Sequence, residues 1–272
     1  MDISEDKLVE ISDGVRKRTF EMVIKAGAGH MGGSFSSLDI LIALYHGGIM
    51  NVRPEEPDWD ERDRFVLSKA HASNAYHVLL SDFGFFPDDL LESYLQDGGS
   101  IGGHTDLRIP GIEVVGGALG HGFGIAAGLA LGAKLKSEDH LVFSMVGDGE
   151  SQEGSIWEAA MFASQHNLSN FIGITDYNGL GSEDFICNTV ELSPLDAKWE
   201  AFGWEVRTIN GHSFSEIFDA LSDLRSRKSD RPLMLLAKTI KGKGLSSMEN
   251  TPKSHHTLPK GEMVDVVRSG LN

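Results

Sequence analysis

Five short apolar runs set the strongest constraint on how this 272-residue chain can fold: Arg64 to Leu67, Leu141 to Val146, Phe171 to Thr175, Val206 to Ile209 and Leu233 to Lys238. Near-continuous apolar runs of this length, separated mostly by helical patterns, read as parallel strands buried on both faces. The intervening helices fall at roughly Leu119 to Leu135, Ser155 to His166 and Phe214 to Arg225. Upstream, Leu8, Ile11, Val15 and Met22 recur mostly at helical spacing and predict an opening helix. A glycine-rich turn follows, and Ser34 is placed to cap a second helical run through Leu38, Leu41, Ile42 and Tyr45. The expectation is an α/β fold: a mostly parallel sheet with helices on both faces. No repeat or linker is visible, so residues 1–272 read as one domain, with 245–272 as a polar tail punctuated by glycine and proline.

A formal net charge of −16 argues against nucleic acid as a partner, because phosphate backbones attract basic surfaces. Hydrophobic residues at 40% and charged residues at 24% place the chain among soluble globular proteins. The longest apolar stretch, Ile112 to Leu135, is interrupted by Glu113, His121 and Lys134 and fits a buried helix better than a membrane span. Cys187 is the only cysteine, which rules out an internal disulfide and fits a reducing, cytoplasmic setting. The 32 glycines gather at 27–33, 98–103, 111–132 and 147–154, as if backbone must approach something closely there.

The run Leu141 to Val146 passes directly into Gly147-Asp148-Gly149-Glu150 and then a helix. Ligands of α/β sheets bind beyond the carboxyl ends of strands, where glycines admit a phosphate to the backbone amides. The next strand ends in Asp176-Tyr177-Asn178-Gly179-Leu180, which puts Asn178 thirty residues after Asp148 across one strand–helix–strand unit. A carboxylate, an amide oxygen and a nearby backbone carbonyl suit Mg²⁺ or Ca²⁺, with a phosphate completing the coordination. Read alone, Gly-Asp-Gly is also an ordinary turn, and the pairing with Asn178 weighs against that reading.

With these motifs the sequence resembles thiamine-diphosphate enzymes and, more narrowly, the transketolase family. GDGESQEGSIWEAAMFA, DAKWEAFGWEV at Asp196 to Val206, KTIKGKG at Lys238 to Gly244 and DRFVLSKAHAS at Asp63 to Ser73 carry the resemblance, which extends from about residue 7 to residue 262. It implies a thiamine-diphosphate-binding fold in which Asp148, Asn178 and the Leu180 carbonyl hold Mg²⁺ or Ca²⁺. Gly147, Gly149 and Glu150 belong to the cofactor-binding turn, with Gly149 at the diphosphate, and Gly117 and Leu119 lie at the aminopyrimidine ring. His30, His71, His104 and His255 match the histidines of the substrate channel, the catalytic set. His121 matches a position often occupied by glutamine, and His166 and His212 read as solvent-facing.

The implied reaction transfers a two-carbon ketol unit from a ketose, phosphorylated in the family, to an aldose. Met31, Thr105, Asp106, Ser254 and His256 depart from the family pattern at substrate-facing positions, so sugar specificity is the property they leave open. Full-length relatives continue into a pyrimidine-binding domain that carries the glutamate that activates the cofactor. The resemblance therefore implies a separate partner subunit carrying that domain, in an α2β2 assembly, with small-molecule sugars as substrates. No clustering of Lys and Arg along the chain replaces the family's grip on a sugar phosphate. A related two-chain carboligase or decarboxylase acting on a 2-keto acid is the competing enzymatic reading, and a non-catalytic homologue the third.

Overall fold

The computed structural model describes residues 3–245 and 248–271. Helix α1 (Glu5–Ala26) starts at Ser4, whose side chain accepts from the Lys7 amide, and ends at Gly27 with φ 72°. A side-chain cap at the start and a left-handed glycine at the end satisfy orphan backbone groups at both termini. Helix α2 (Met31–Tyr45) is buried along its whole length, as befits a helix apolar on all sides. It starts at His30, earlier than the serine-capped start the sequence suggests, and takes Gly32 and Gly33 into its first turn. Packing explains the difference. A Cβ on Gly32 would lie 2.4 Å from the Ser254 carbonyl oxygen, so only glycine lets the C-terminal segment close over this turn.

Strand β1 (Arg64–Leu67) is followed by α3 (Ser73–Phe83), then α4 (His121–Lys136), β2 (Val142–Gly147), α5 (Gly154–Gln165), β3 (Phe171–Tyr177), the single turn α6 (Ile186–Thr189), α7 (Leu195–Ala201), β4 (Glu205–Asn210), α8 (Phe214–Leu221), β5 (Leu233–Lys238) and α9 (Glu262–Gly270). All five strands pair in parallel, in the order β1-β2-β3-β5-β4. The strands match the five apolar runs within two residues. Helices α3, α6, α7 and α9 carry no corresponding sequence expectation, and α8 stops short of Arg225 at Leu221.

Alternation along the strands divides the interior into two clusters. Phe65, Phe143, Met145, Ile172, Ile174 and Leu235 face α1, α2 and α3, whereas Val66, Val142, Val146, Phe171 and Leu236 face α4, α5 and α7. In the second cluster Phe123 of α4 stacks on Trp204 at 5.6 Å and meets Trp199 edge-on at 5.7 Å. Both tryptophans come from the DAKWEAFGWEV stretch, whose structural task is to seat α4 and the loop before it on the sheet. Residues 245–272, read as a tail, carry α9, and Val267 and Leu271 pack into the first cluster. Arg268 of α9 pairs with Glu21 of α1 at 2.6 Å. Among the described residues no helix is long and apolar enough to cross a membrane.

Candidate active site

Strands β2 and β3 end side by side, Gly147 opposite Asp176, and a cavity of about 460 Å³ opens over these ends. Its walls include Gly117, Leu119, Gly147, Asp148, Gly149, Glu150, Asn178 and Leu180, the residues singled out for cofactor and metal, together with His71 and His255. Gly147 and Gly149 are not required by the packing of the chain itself. A Cβ at either position would meet protein no closer than 3.6 Å, so these glycines leave the room over the strand end to an approaching ligand.

Asp148 is 2% exposed. Its carboxylate accepts from the Gly149 amide at 2.8 Å and the Gly179 amide at 2.5 Å, and no Lys or Arg among the described residues pairs with it. Burial, and then the neighbouring Asp176 carboxylate, push its pKa up to about 7. Asn178 donates its amide nitrogen to Asp176 at 3.1 Å, which fixes the amide oxygen on the opposite side, where it accepts from the Leu180 amide at 3.1 Å. One carboxylate, one amide oxygen and one carbonyl are hard donors suited to Mg²⁺ or Ca²⁺. Among the described residues no three His, Cys, Asp or Glu side chains gather to hold a metal by themselves. An ion here therefore draws its remaining ligands from bound phosphate and water. The residues fit that group: an ion supplies the positive charge that buried Asp148 lacks and brings its pKa down.

Glu150 has a different environment from its neighbours in the motif. Its carboxylate accepts from Ser68 Oγ at 2.6 Å, the Gly120 amide at 2.8 Å and the Gly147 amide at 3.1 Å, while the residue is 3% exposed. It ties the β1 end, the loop before α4 and the β2 end into one floor. With its oxygens engaged by these three donors, Glu150 acts as the anchor of that floor.

The four histidines come from four separate segments: the residue capping α2, the 3-10 turn after β1, the end of the glycine loop at 98–103 and the turn after Pro252. They converge. The rings of His30 and His71 lie 5.6 Å apart, His30 and His255 5.4 Å, His71 and His255 5.1 Å, and His30 and His104 6.1 Å. His104 is the exposed member, and His30 and His255 each keep a buried Nδ1 with no hydrogen-bond partner among the described residues. Burial lowers the pKa of all three inner rings, aided by Lys69 at His71, by His104 at His30 and by Lys241 at His255, whose value falls to about 3. Near neutral pH these rings are uncharged, so each offers one donor and one acceptor, the pairing that hydroxyl groups require.

His121 stands exposed at the start of α4 with Nδ1 3.1 Å from the Leu119 carbonyl, and His166 is exposed at the end of α5. His212 corrects the expectation of a solvent-facing ring. Its Nδ1 meets Asp39 Oδ2 at 2.7 Å and its Nε2 accepts the Ile240 amide at 2.9 Å, which fixes a neutral ring with the proton on Nδ1.

Sequence reasoning gave no role to Lys69, Lys241 and Asp176, which the fold gathers under the cavity. Lys69 is 2% and Lys241 3% exposed, and both line the cavity wall. Lys69 donates to Asp176 Oδ2 and to the Gly33 carbonyl at 3.0 Å, and Asp176 also accepts from Ser36 at 2.6 Å and from Thr239. Two ammonium groups supply positive potential that the chain, read linearly, does not cluster. The available signal was a lysine among small residues, in SKAHAS and KGKG, where a solvated lysine has no need of such neighbours.

Residues 9–271 match the family model of the transketolase thiamine diphosphate binding domain. The chain is 42% identical over 250 residues to the 6-deoxy-6-sulfo-D-fructose transketolase subunit SqwG of Clostridium sp. (strain MSTE9), covering 92% of this chain and 90% of that protein. It is 39% identical over 254 residues to an apulose-4-phosphate transketolase subunit of Phocaeicola vulgatus, covering 93% and 90%. The crystal structure of transketolase from Campylobacter jejuni superposes with a TM-score of 0.90 at 33% identity, covering 98% of this chain and 43% of that one. The chain thus spans nearly all of the subunit-type relatives and less than half of the single-chain enzyme. On this match, and on a parallel sheet whose strand ends carry the expected donors, the chain belongs to the transketolase family as a thiamine diphosphate binding domain.

Proposed function

We propose that this chain is the diphosphate-binding subunit of a two-chain transketolase, moving a two-carbon ketol unit from a ketose to an aldose in concert with a partner that carries the pyrimidine-binding domain. The observation that carries the reading is the uncompensated Asp148 carboxylate in the same cavity as His71 and His255, onto which the rings of His30 and His104 converge. Asp148, Asn178 and the Leu180 carbonyl would hold Mg²⁺ or Ca²⁺, with Gly147 and Gly149 admitting the diphosphate to backbone amides and Lys69 and Lys241 adding positive potential. Gly117 and Leu119 would border the aminopyrimidine ring. Thiamine diphosphate, when bound, supplies the electron sink for breaking the carbon–carbon bond next to the donor carbonyl.

The chain's own part in the reaction is positioning and proton movement. Neutral His30, His71 and His255 would bond the donor's hydroxyls and carbonyl oxygen and pass protons among them, with His104 at the mouth. A ring that is both donor and acceptor suits a polyhydroxylated ketose better than a 2-keto acid, which favours ketol transfer over the carboligase reading. The two subunit-type relatives are named for a sulfonated ketose and a phosphorylated one, so a ketose with an anionic far end is the proposed donor class. Residues 1–272 would act as one diphosphate-binding domain within a cytoplasmic α2β2 assembly.

Co-purification with the product of a neighbouring reading frame, followed by a screen of ketose donors, tests this. The isolated chain should show no transfer and the pair should restore it. Ketol transfer by the single chain would overturn the two-chain reading.

A further inference from the structure

The Ile240 amide lies beyond the last ladder pair of β5 at Lys238 and needs an acceptor from elsewhere. His212 supplies it: Nε2 accepts from the Ile240 amide at 2.9 Å while Nδ1 donates to Asp39 Oδ2 at 2.7 Å. Asp39 is 7% exposed and also accepts from Ser12 Oγ and, at 3.0 Å, from Arg16. Burial by itself raises the pKa of this carboxyl, but the His212, Arg16 and Ser12 contacts outweigh it and hold the pKa below its ordinary value. An ionised Asp39 can only accept, so the connection runs in one direction, from an anion on α2 through the ring to a backbone amide beyond β5.

That amide opens the segment that leads to His255. The Gly242 amide donates to the Gly32 carbonyl at 2.9 Å, the Lys241 carbonyl accepts from the Asn250 amide at 2.9 Å, and the Ser254 carbonyl lies against Gly32. Residues 240–242 therefore meet α2 at two places, at its first turn directly and at Asp39 through His212. His30 caps the same helix, and its ring lies 5.4 Å from that of His255. His212 is not among the residues that line the cavity, so any effect it has on substrate passes through these contacts.

We propose that His212 is a positioning residue for the pair His30 and His255: with Asp39 it fixes the start of the C-terminal segment against α2 and so sets the spacing of two rings that handle the donor sugar. The proposal rests on the ketol-transfer reading above. With the attachment at Asp39 lost, the segment is left to pivot on Gly32, and a misplacement of about 1 Å at a group that handles substrate costs up to about a hundredfold in rate. A ring present only to satisfy buried Asp39 has different requirements. It needs the donor toward α2, and the acceptor toward Ile240 is dispensable.

Two substitutions separate these roles. His212→Asn places an amide nitrogen where Nδ1 sits and can still donate to Asp39, whereas His212→Gln reaches the Nε2 position and can still accept from Ile240. Assembled with the partner subunit, the Asn variant should lose about tenfold or more in kcat and the Gln variant should stay within about threefold of the wild type. A tenfold loss in the Gln variant would overturn the proposal by itself, whether or not the Asn variant folds. Hydrogen exchange of the full chain gives a readout independent of turnover: amides of residues 240–245 and 248–256 should exchange about tenfold faster in the Asn variant, with β2 and β3 unchanged. Faster exchange spread evenly over the chain would overturn the proposal. In a double-mutant cycle, the loss from His212→Asn should largely disappear once His255→Ala is present. Additive losses would overturn the positioning role alone. Wild-type kinetics in His255→Ala, or no ketol transfer by the assembled wild type, would overturn the ketol-transfer reading and the proposal with it.

Discussion

Lys69 and Asp176 form an ion pair beneath the cavity with side chains 2% and 0% exposed, while Asp148, whose amide donates to the Asp176 carbonyl at 3.3 Å, has no cation of its own among the described residues. The two carboxylates end neighbouring strands, yet only one is neutralised by the protein. A buried carboxylate is costly without a partner, and the contrast between compensated Asp176 and uncompensated Asp148 supports the cation site proposed at Asp148.

Replacing Asp148 by Ala should therefore weaken metal-dependent binding of thiamine diphosphate by at least about tenfold, roughly 1.4 kcal/mol. The fold should persist, because the variant removes a buried charge whose pKa is already raised to about 7 by burial. Calorimetric titration in Mg²⁺ measures the loss. Unchanged affinity would remove Asp148 from the clamp.

The histidine cluster separates from the cofactor in a second set of variants. His30→Ala and His71→Ala, assembled with the partner, should leave cofactor affinity nearly unchanged and lower turnover by about a hundredfold to ten-thousandfold if the ring moves a proton. His104, at the exposed edge, should show a smaller effect of about tenfold, mainly in KM. His255 lines the cavity and His256 is exposed beside it, so His255→Ala should suffice without the double replacement. Wild-type kcat and KM in both His30→Ala and His71→Ala would show that the cluster does not face substrate.

Glu150→Ala leaves the Ser68 hydroxyl and the Gly120 and Gly147 amides without their buried acceptor. Each lost bond of this kind costs about 1 kcal/mol or more, so a destabilisation of roughly 2–4 kcal/mol is expected. Glu150→Gln, which retains one acceptor oxygen, should lose about half as much. Urea unfolding of the three proteins gives the comparison, and equal midpoints would mean that the floor does not depend on Glu150.

His77, on α3, is fully buried with no hydrogen-bond partner for either ring nitrogen among the described residues, and burial lowers its pKa to about 4. The folded state holds this ring neutral while the unfolded chain protonates it near pH 6.5. Its share of stability is thus fully present above that pH and is lost as pH falls from there through about 4, by about 3 kcal/mol in all. His77→Leu should lose less stability than the wild type between pH 7 and pH 4. Parallel curves for the two proteins would show that the ring does not titrate in this way.

The sheet was legible because a strand covered on both faces is apolar at nearly every position, as in Leu233 to Ala237. The start of α2 was not, because Gly32 and Gly33 look like a turn until Ser254 is seen to press on Gly32 from the far end of the chain. Asp148 and Asn178 could be paired because one strand–helix–strand unit separates them. Lys69, Asp176 and Lys241 could not, since their relationship is made by three strand ends meeting. His212 was misjudged for the same reason: it lies in the turn after β4 while its partner Asp39 is on α2, and a polar local context says nothing of what packs over it.

The closure of the C-terminal segment over α2 also sets an order of events during synthesis. His30 and His255 are separated by 225 positions, yet their rings end 5.4 Å apart. At elongation rates of about 5–20 residues per second, roughly 10–45 seconds pass between the emergence of the first and the last of these rings. Throughout that interval the nascent chain cannot form the wall that His255 and Lys241 complete. A chain still on the ribosome therefore lacks the wall that carries His255, and the cavity over the strand ends is complete only after translation has passed residue 255.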